Sequence, residues 1–141
     1  MDTSIHPPVV LFACVHNAGR SQMAAALFNH LADPAKARAI SAGTHPAEHV
    51  HPEVVTIVRE LGIDLSGARP QRLTEALTRT ATMLITMGCG DECPVVPGLR
   101  RDDWPLKDPK GQSLEAVRAI REEINERVRT LLAAEGWTRS P

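Results

Sequence analysis

The sequence predicts an α/β fold, a layered sandwich built on a mostly parallel sheet. Short apolar runs rich in β-branched residues alternate along the chain with segments whose apolar residues recur at helical spacing. Turn-forming residues follow the apolar runs, and in two places the turn carries cysteine. In a parallel sheet, loops at the carboxyl ends of the strands form the ligand sites. We therefore expect the function to reside in the two cysteine-bearing loops.

Four segments have the composition of strands. The run from Pro8 to Ala13 is continuously apolar, as expected of a strand that is buried on both faces. Ala37 to Ala42 is a weaker strand that Gly43 closes, and Thr82 to Met87 is a third buried run. Leu99 to Trp104 is predicted to be the last strand.

Four further segments are predicted to be helices, because their apolar residues are three or four positions apart. The first follows the Pro8 to Ala13 strand and ends at Asp33. The second spans 54–61, where Gly62 is placed to cap its carboxyl end. A short helix is expected over 72–79 and a long closing helix over 113–134.

Length and charge exclude several classes of protein. The 141 residues, 43% of them apolar, are sufficient for a buried core, so we expect one domain over residues 1–141. The 16 Lys and Arg nearly balance the 17 Asp and Glu, which gives no field for nucleic acid or an anionic membrane. No apolar run approaches the roughly 20 residues that span a bilayer, and the first residues lack a signal-peptide pattern. We expect a cytoplasmic protein with no membrane or nucleic-acid partner.

The segment from Cys14 to Ser21, Cys-Val-His-Asn-Ala-Gly-Arg-Ser, predicts an anion site. Backbone N–H groups of a loop that enters a helix converge on one point, where the helix dipole adds positive potential. Arg20 is placed to bind two oxygens of a tetrahedral anion. The expected oxyanion-binding residues are Val15, His16, Asn17, Ala18, Gly19, Arg20 and Ser21.

The positive field of this loop favours a thiolate, so we expect Cys14 to be a nucleophile that Ser21 supports with a hydrogen bond. The alternative is that Cys14 is a buried apolar residue at a strand end, as many isolated cysteines are. Its position between a buried strand and an amphipathic helix favours the nucleophile. Asn17 and Gly19 are expected where the loop needs unusual backbone angles.

In this context Val10 to Ala24 resembles the phosphate-binding loop of the low-molecular-weight protein tyrosine phosphatase fold, in its arsenate reductase branch. Ile40 to Gly43, Thr86 to Pro94 and Trp104 to Pro109 are similar to that branch's second-strand end, redox cysteine segment and general-acid loop. The resemblance implies a central four-stranded parallel sheet flanked by helices. It also implies reduction of arsenate to arsenite, with phosphate or sulfate as a mimic of arsenate, no bound cofactor, and an external thiol reductant.

The resemblance also implies catalytic roles for Cys14, Arg20, Asp108, Cys89 and Cys93. Cys14 attacks arsenic while Asp108 delivers a proton to the departing oxygen, although an Asp-Pro pair is by itself a common turn. We expect Cys89 then to attack Cys14 and expel arsenite, although the sequence leaves open which of Cys89 and Cys93 attacks first. Cys93 attacks Cys89 in turn, which leaves a disulfide for thioredoxin or a similar redoxin.

Three other functions remain open. Relatives with the same Met-Gly-Cys-Gly-Asp-x-Cys-Pro segment use mycothiol, so a small thiol with its redoxin is an alternative reductant. A low-molecular-weight tyrosine phosphatase is the enzyme alternative, although the chain has no tyrosine and few aromatic residues to line a phosphotyrosine pocket. An arsenite- or zinc-binding thiol protein is the alternative that is not an enzyme.

No resident metal is expected. The pair Cys89 and Cys93 and the three histidines of the 45–51 loop lack a second strong zinc-knuckle spacing. Ala25 stands where some thioredoxin-coupled members of the resembled branch carry an acidic residue that helps to bind potassium. We therefore expect neither a zinc site nor a potassium site.

Overall fold

Strands and helices follow the order that the apolar pattern predicts, in a computed structural model that describes residues 7–88 and 97–140. Each predicted element is present, with both ends of the second helix and the start of the third displaced. In chain order the elements are β1 (Val9–Cys14), α1 (Arg20–Leu31), β2 (Arg38–Gly43), α2 (Pro52–Arg59), α3 (Glu75–Arg79), β3 (Met83–Thr86), β4 (Arg100–Asp103) and α4 (Leu114–Glu135).

The four strands form one parallel sheet in the order β2-β1-β3-β4. At the carboxyl end of β1, Cys14 lies opposite Gly43 of β2, and Ala13 lies opposite Thr86 of β3. The chain leaves β1 towards β2 on one side and later returns to β3 on the other, so the strand order reverses at β1. Ligands of open parallel sheets bind in the crevice at such a reversal, and Cys14 ends β1 at this point.

The sheet separates two apolar layers. Phe12 and Cys14 of β1 belong to the larger core, which α1, α2 and α4 cover. Leu11 and Ala13 point to the other face, where they meet the smaller core under the 73–81 segment that includes α3. This is the predicted three-layer sandwich with a four-stranded parallel sheet.

The predicted start of α3 at Arg72 is wrong by three residues, since the helix begins at Glu75. Arg72 instead forms an isolated parallel bridge with Gly43, so it extends the pairing beside β2. The side chain of Thr74 accepts a hydrogen bond from the backbone N–H of Leu77 at 3.0 Å and caps the helix. A cap of this kind satisfies an N–H group that the first turn leaves free.

The carboxyl end of α2 is also displaced from its predicted position. The helix ends at Arg59, with Glu60 as its cap residue, and Gly62 lies two positions further on with a φ of +80°. The N–H of Gly62 donates to the carbonyl of Arg59 at 2.9 Å. The glycine therefore closes a turn that follows the helix.

The long helix α4 has both of its ends capped. Ser113 accepts a hydrogen bond from the N–H of Ala116 at 3.1 Å, and Gly136 follows the last turn with a left-handed φ of +74°. At one edge of the sheet, all four residues of β4 are charged and exposed, which discourages pairing of this edge strand with another chain. In the two described ranges, no helix combines the length and apolarity needed to cross a membrane.

Candidate active site

The loop after β1 turns its carbonyl groups away from its centre. Backbone N–H groups of the 44–51 segment donate to four of these carbonyls, at N···O distances of 2.8 to 3.2 Å. The peptide bonds of the loop are trans, so the N–H that follows each carbonyl points the opposite way, towards the centre. Such converging N–H groups at the start of a helix form a site for an anion. The four acceptors are the carbonyls of Cys14, Val15, His16 and Ala18.

Two loop residues have backbone angles that differ from the usual regions. Asn17 has a φ of +50°, as expected for a residue type that tolerates the left-handed region. Gly19 has φ −137° and ψ −90°, and its lack of a side chain allows a close contact with another loop. A Cβ at this position would lie 2.6 Å from Cγ of Pro109, so the glycine lets the 104–109 loop approach the anion loop.

The sulfur of Cys14 faces the first turn of α1. Cys14 is buried, and its Sγ lies 2.8 Å from the hydroxyl oxygen of Ser21. Ser21 also receives a hydrogen bond from the side-chain amide of Asn17 at 2.7 Å. The contact between thiol and hydroxyl that the sequence suggests is therefore present.

Three parts of the chain meet at the side chain of Arg20, which is 10% exposed. Its Nη1 donates to the carbonyl of Leu106 at 3.2 Å, and its Nη2 lies 3.8 Å from Oδ2 of Asp108. Gly88, two residues after β3, has a φ of +93°, and a side chain there would collide with the guanidinium group. The arginine thus connects the anion loop to the end of β3 and to the 104–109 loop.

Asp108 lies at the mouth of the anion loop, where 43% of its side chain is exposed. Its Oδ1 accepts a hydrogen bond from the N–H of Lys110 at 3.0 Å, which fixes the carboxyl group in a local turn. Trp104, at the other end of this loop, is buried and its indole N–H donates to Oδ2 of Asp102 at 3.1 Å. The loop is therefore anchored while the carboxyl group of Asp108 remains accessible to solvent.

Other predicted residues lie away from this cluster or outside the described part of the chain. Cys89 and Cys93 belong to the segment that the structure does not describe. His45 and His49 are exposed, and His51 is partly buried next to Gly19. Within residues 7–88 and 97–140, no group of three or more His, Cys, Asp or Glu side chains could hold a metal ion.

Sequence analysis missed a buried glutamine beside the anion loop. Gln22 is 6% exposed and its side-chain nitrogen contacts the backbone and side-chain oxygens of Asn17. It also contacts the carbonyl of Arg69, which is 47 positions away in sequence. No local pattern contains this information, because it depends on how the 69–71 segment packs against the loop.

A cysteine at the end of a central parallel strand, followed by a loop and an arginine at the start of a helix, defines a small α/β protein with a candidate oxyanion site. A family model described as low molecular weight phosphotyrosine protein phosphatase matches residues 9–136, and the chain belongs to this family. The resemblance suggested by the sequence is thus confirmed.

Relatives that are named arsenate reductases are similar to most of this chain. A Halobacterium salinarum relative is 40% identical over 123 residues, which cover 83% of this chain and 85% of that protein. The glutaredoxin arsenate reductase of Synechocystis is 35% identical over 127 residues, and the match covers 88% of this chain and 95% of that protein. A solved structure of a Corynebacterium glutamicum thioredoxin-dependent arsenate reductase has a TM-score of 0.83 and 42% identity. That match covers 95% of this chain and 64% of the other, so this chain spans less than two thirds of that relative.

Proposed function

We propose that this protein reduces arsenate to arsenite and that Cys14 is the nucleophile. The observation that carries the proposal is the buried Cys14 sulfur, 2.8 Å from the hydroxyl of Ser21 in the first turn of α1, in a loop whose carbonyls bond to the 44–51 segment and which Arg20 follows. A tetrahedral oxyanion bound by the N–H groups of this loop, the anion cradle, has its central atom next to the sulfur. The names of the similar relatives favour arsenate as that oxyanion.

Arsenate binding uses charges that the site already holds in place. Backbone N–H groups of the loop and the helix dipole favour a negative group at this point. The fork of Arg20 binds two oxygens of the anion, while Asp108 remains close enough to face a third. The contact between Arg20 and Leu106 O keeps the guanidinium near this position before the anion arrives.

The first chemical step forms a bond between the Cys14 sulfur and arsenic and breaks one arsenic–oxygen bond. The leaving group is a hydroxyl of the arsenate, which takes a proton from the protonated carboxyl group of Asp108 and departs as water. The hydroxyl of Ser21, 2.8 Å from the sulfur, stabilises the attacking thiolate. Arsenic is still in the +5 state at the end of this step.

Reduction requires a second thiol, and we assign it to Cys89. Its thiolate attacks the Cys14 sulfur, the electron pair of the sulfur–arsenic bond moves to arsenic, and arsenite leaves in the +3 state. The two sulfurs are oxidised together to a disulfide. Cys93 then attacks Cys89 and releases Cys14 as a thiolate. The external reductant reduces the resulting Cys89–Cys93 disulfide. This relay rests on the sequence, because both cysteines lie outside the described residues.

We propose thioredoxin as the external reductant. One similar relative is named as thioredoxin-dependent and another as a glutaredoxin enzyme, so an external redox partner has more support than the choice of partner. A chemistry that starts from free thiols requires a reducing compartment, which favours the cytoplasm.

Arsenate-dependent oxidation of NADPH, in the presence of thioredoxin and thioredoxin reductase, tests both the activity and the relay. Wild-type protein is compared with Cys14→Ser, Cys89→Ser and Cys93→Ser. We expect turnover by the wild type only, because each variant interrupts a different sulfur transfer. Urea unfolding of each variant confirms that the loss is chemical.

The same assay separates the alternatives. Turnover with a small thiol and its redoxin, but not with thioredoxin, would replace the relay by thiol transfer. Hydrolysis of an aryl phosphate without arsenate reduction would assign a phosphatase. Retention of full turnover by Cys14→Ser would contradict the nucleophile.

A further inference from the structure

Gln22 faces three oxygen atoms with one nitrogen. Its Nε2 lies 3.1 Å from the backbone oxygen of Asn17, 3.2 Å from Asn17 Oδ1 and 3.3 Å from the carbonyl of Arg69. Each of these atoms accepts hydrogen bonds and none donates, so the nitrogen of the amide must face them. The orientation of this buried side chain is therefore determined, and it joins the anion loop to the 69–71 segment.

The amide of Asn17 is oriented by the same segment. The backbone N–H of Gln71 donates to Asn17 Oδ1 at 2.9 Å. A peptide N–H cannot accept a hydrogen bond, so the oxygen of the Asn17 amide is the atom that faces it. The nitrogen Nδ2 consequently faces the hydroxyl of Ser21, at 2.7 Å.

This orientation decides the direction of the hydrogen bond to the Cys14 sulfur. Because Asn17 Nδ2 donates to the hydroxyl oxygen of Ser21, the single hydroxyl hydrogen is not used towards Asn17. The other contact of this hydroxyl is the sulfur, at 2.8 Å. If the Asn17 amide turned round, its oxygen would accept that hydrogen and the sulfur would lose its donor.

We propose that Gln22 is a positioning residue that fixes the Asn17 amide and the 69–71 segment, so that Ser21 donates its hydrogen to the Cys14 thiolate. Gln22 acts through Asn17 and Ser21 and does not contact the bound anion. The inference rests on the proposed role of Cys14 as nucleophile, because a donor aimed at this sulfur favours its thiolate form.

Titration of the Cys14 thiol tests the proposal directly. The protein is labelled with cysteine carrying ¹³C at Cβ, and the Cys14 resonance, assigned by its loss in Cys14→Ser, is followed against pH. Gln22→Met keeps the length of the side chain and removes its donors. We expect the titration midpoint to rise by roughly one pH unit, the order expected for loss of a hydrogen bond to a charged group.

A double-substitution cycle shows whether Gln22 acts through Ser21. Ser21→Ala removes the donor itself and should raise the midpoint at least as much as Gln22→Met. Adding Gln22→Met to Ser21→Ala should then cause no further rise. Among the residues that the structure describes, the charged or titratable groups of this site are Arg20 and His16 of the loop and Asp108, which faces Arg20, and all three are unchanged in every variant.

Asn29→Leu is the matched control for a general loss of amide hydrogen bonds. Asn29 bonds both backbone groups of Ala39, at 2.9 and 3.0 Å. Its replacement should lower stability and leave the Cys14 midpoint unchanged. Gln22→Ala repeats the test with a smaller side chain, so an unfolded Gln22→Met protein would not prevent a result.

An unchanged midpoint in a folded Gln22 variant would overturn the proposal, as would a shift that adds fully to that of Ser21→Ala. The titration needs neither arsenate nor a reductant. A wild type without arsenate turnover would therefore refute the proposed function while the Cys14 midpoint still reported on Gln22.

Discussion

Arg20 and Asp108 lie side by side at the candidate site. In the proposed mechanism, Arg20 binds the oxyanion and Asp108 protonates the leaving group. Nη2 of Arg20 and Oδ2 of Asp108 are 3.8 Å apart, and the carboxyl group is much the more exposed of the two. When the guanidinium of Arg20 binds two oxygens of an anion, the carboxyl group of Asp108 is expected to lie beside another of the anion's oxygens. In the proposed mechanism, binding and proton delivery are thus coupled through a single pair of side chains.

Replacing Asp108 by asparagine should slow chemistry more than binding. Asparagine keeps the size of the side chain but cannot deliver a proton, so we expect kcat to fall by about 10²- to 10⁴-fold with a small change in KM. Steady-state arsenate reduction measures both constants.

The control for this experiment is Asp64→Asn. Asp64 Oδ1 accepts the N–H of Ser66 at 2.8 Å, the same kind of turn that Asp108 makes with Lys110 at 3.0 Å. Its replacement should leave kcat unchanged. A kcat within tenfold of the wild type for Asp108→Asn would assign the proton to another donor.

At the level of elements, the sequence predicted what depends on local composition. The apolar runs gave the buried strands, and the periodicity of 113–134 gave α4, because burial of one face imposes both patterns. The start of α3 could not be predicted in this way. Arg72 pairs with Gly43, which is distant in sequence, and this pairing overrides the helical spacing of the residues that follow.

The contact between α2 and α4 includes a charged cluster at Glu60. Arg118 and Arg121 donate to the two carboxylate oxygens of Glu60, at 2.7 and 2.8 Å. Arg121 also donates to the carbonyl of Ile57 at 2.9 Å. These hydrogen bonds lower the pKa of Glu60 from 4.5 to about 2, and the one from Arg118 has a larger effect than the one from Arg121.

This lowered pKa predicts how the stabilising effect of Glu60 depends on pH. The folded protein holds the carboxylate more strongly than the unfolded chain does, so the effect is complete above about pH 4.5 and is lost as the pH falls towards 2. Glu60→Gln should therefore lower the urea midpoint at neutral pH, and its difference from the wild type should shrink between pH 4.5 and 2.

Glu75→Gln is the matched control, because Glu75 pairs with Arg79 on the surface and both side chains are more than two-thirds exposed. Exposed pairs of this kind contribute little, so we expect almost no change at any pH. A loss in Glu60→Gln that stays constant from neutral to acidic pH would mean that its charge is not the cause.

Across the whole molecule, the site is assembled from segments that are distant in sequence. Cys14 to Ser21 could be predicted because the loop is continuous. The donors that orient Asn17 could not, since the N–H of Gln71 is 54 positions away in sequence and Gln22 also contacts the distant carbonyl of Arg69. The close approach of Pro109 to Gly19 is a contact of the same kind.

Because the anion cradle exists only when these segments are packed, an oxyanion should stabilise the folded protein and not the unfolded chain. The gain follows the ligand concentration and is about 2.7 kcal/mol at a hundredfold excess over Kd. We expect phosphate, as a mimic of arsenate, to raise the thermal unfolding midpoint above that in chloride at equal ionic strength. Arg20→Lys should reduce this increase, because lysine lacks the two-pronged grip on the anion.

Phosphate also stabilises proteins by exclusion from their surface, and this part of the increase must be the same in every variant. Arg38→Lys, at the exposed start of β2, is therefore the control and should keep the full wild-type increase. The difference between the two arginine variants measures binding at the cradle alone. Equal increases in wild type, Arg20→Lys and Arg38→Lys would show that phosphate acts only through the solvent and that Arg20 does not hold the anion.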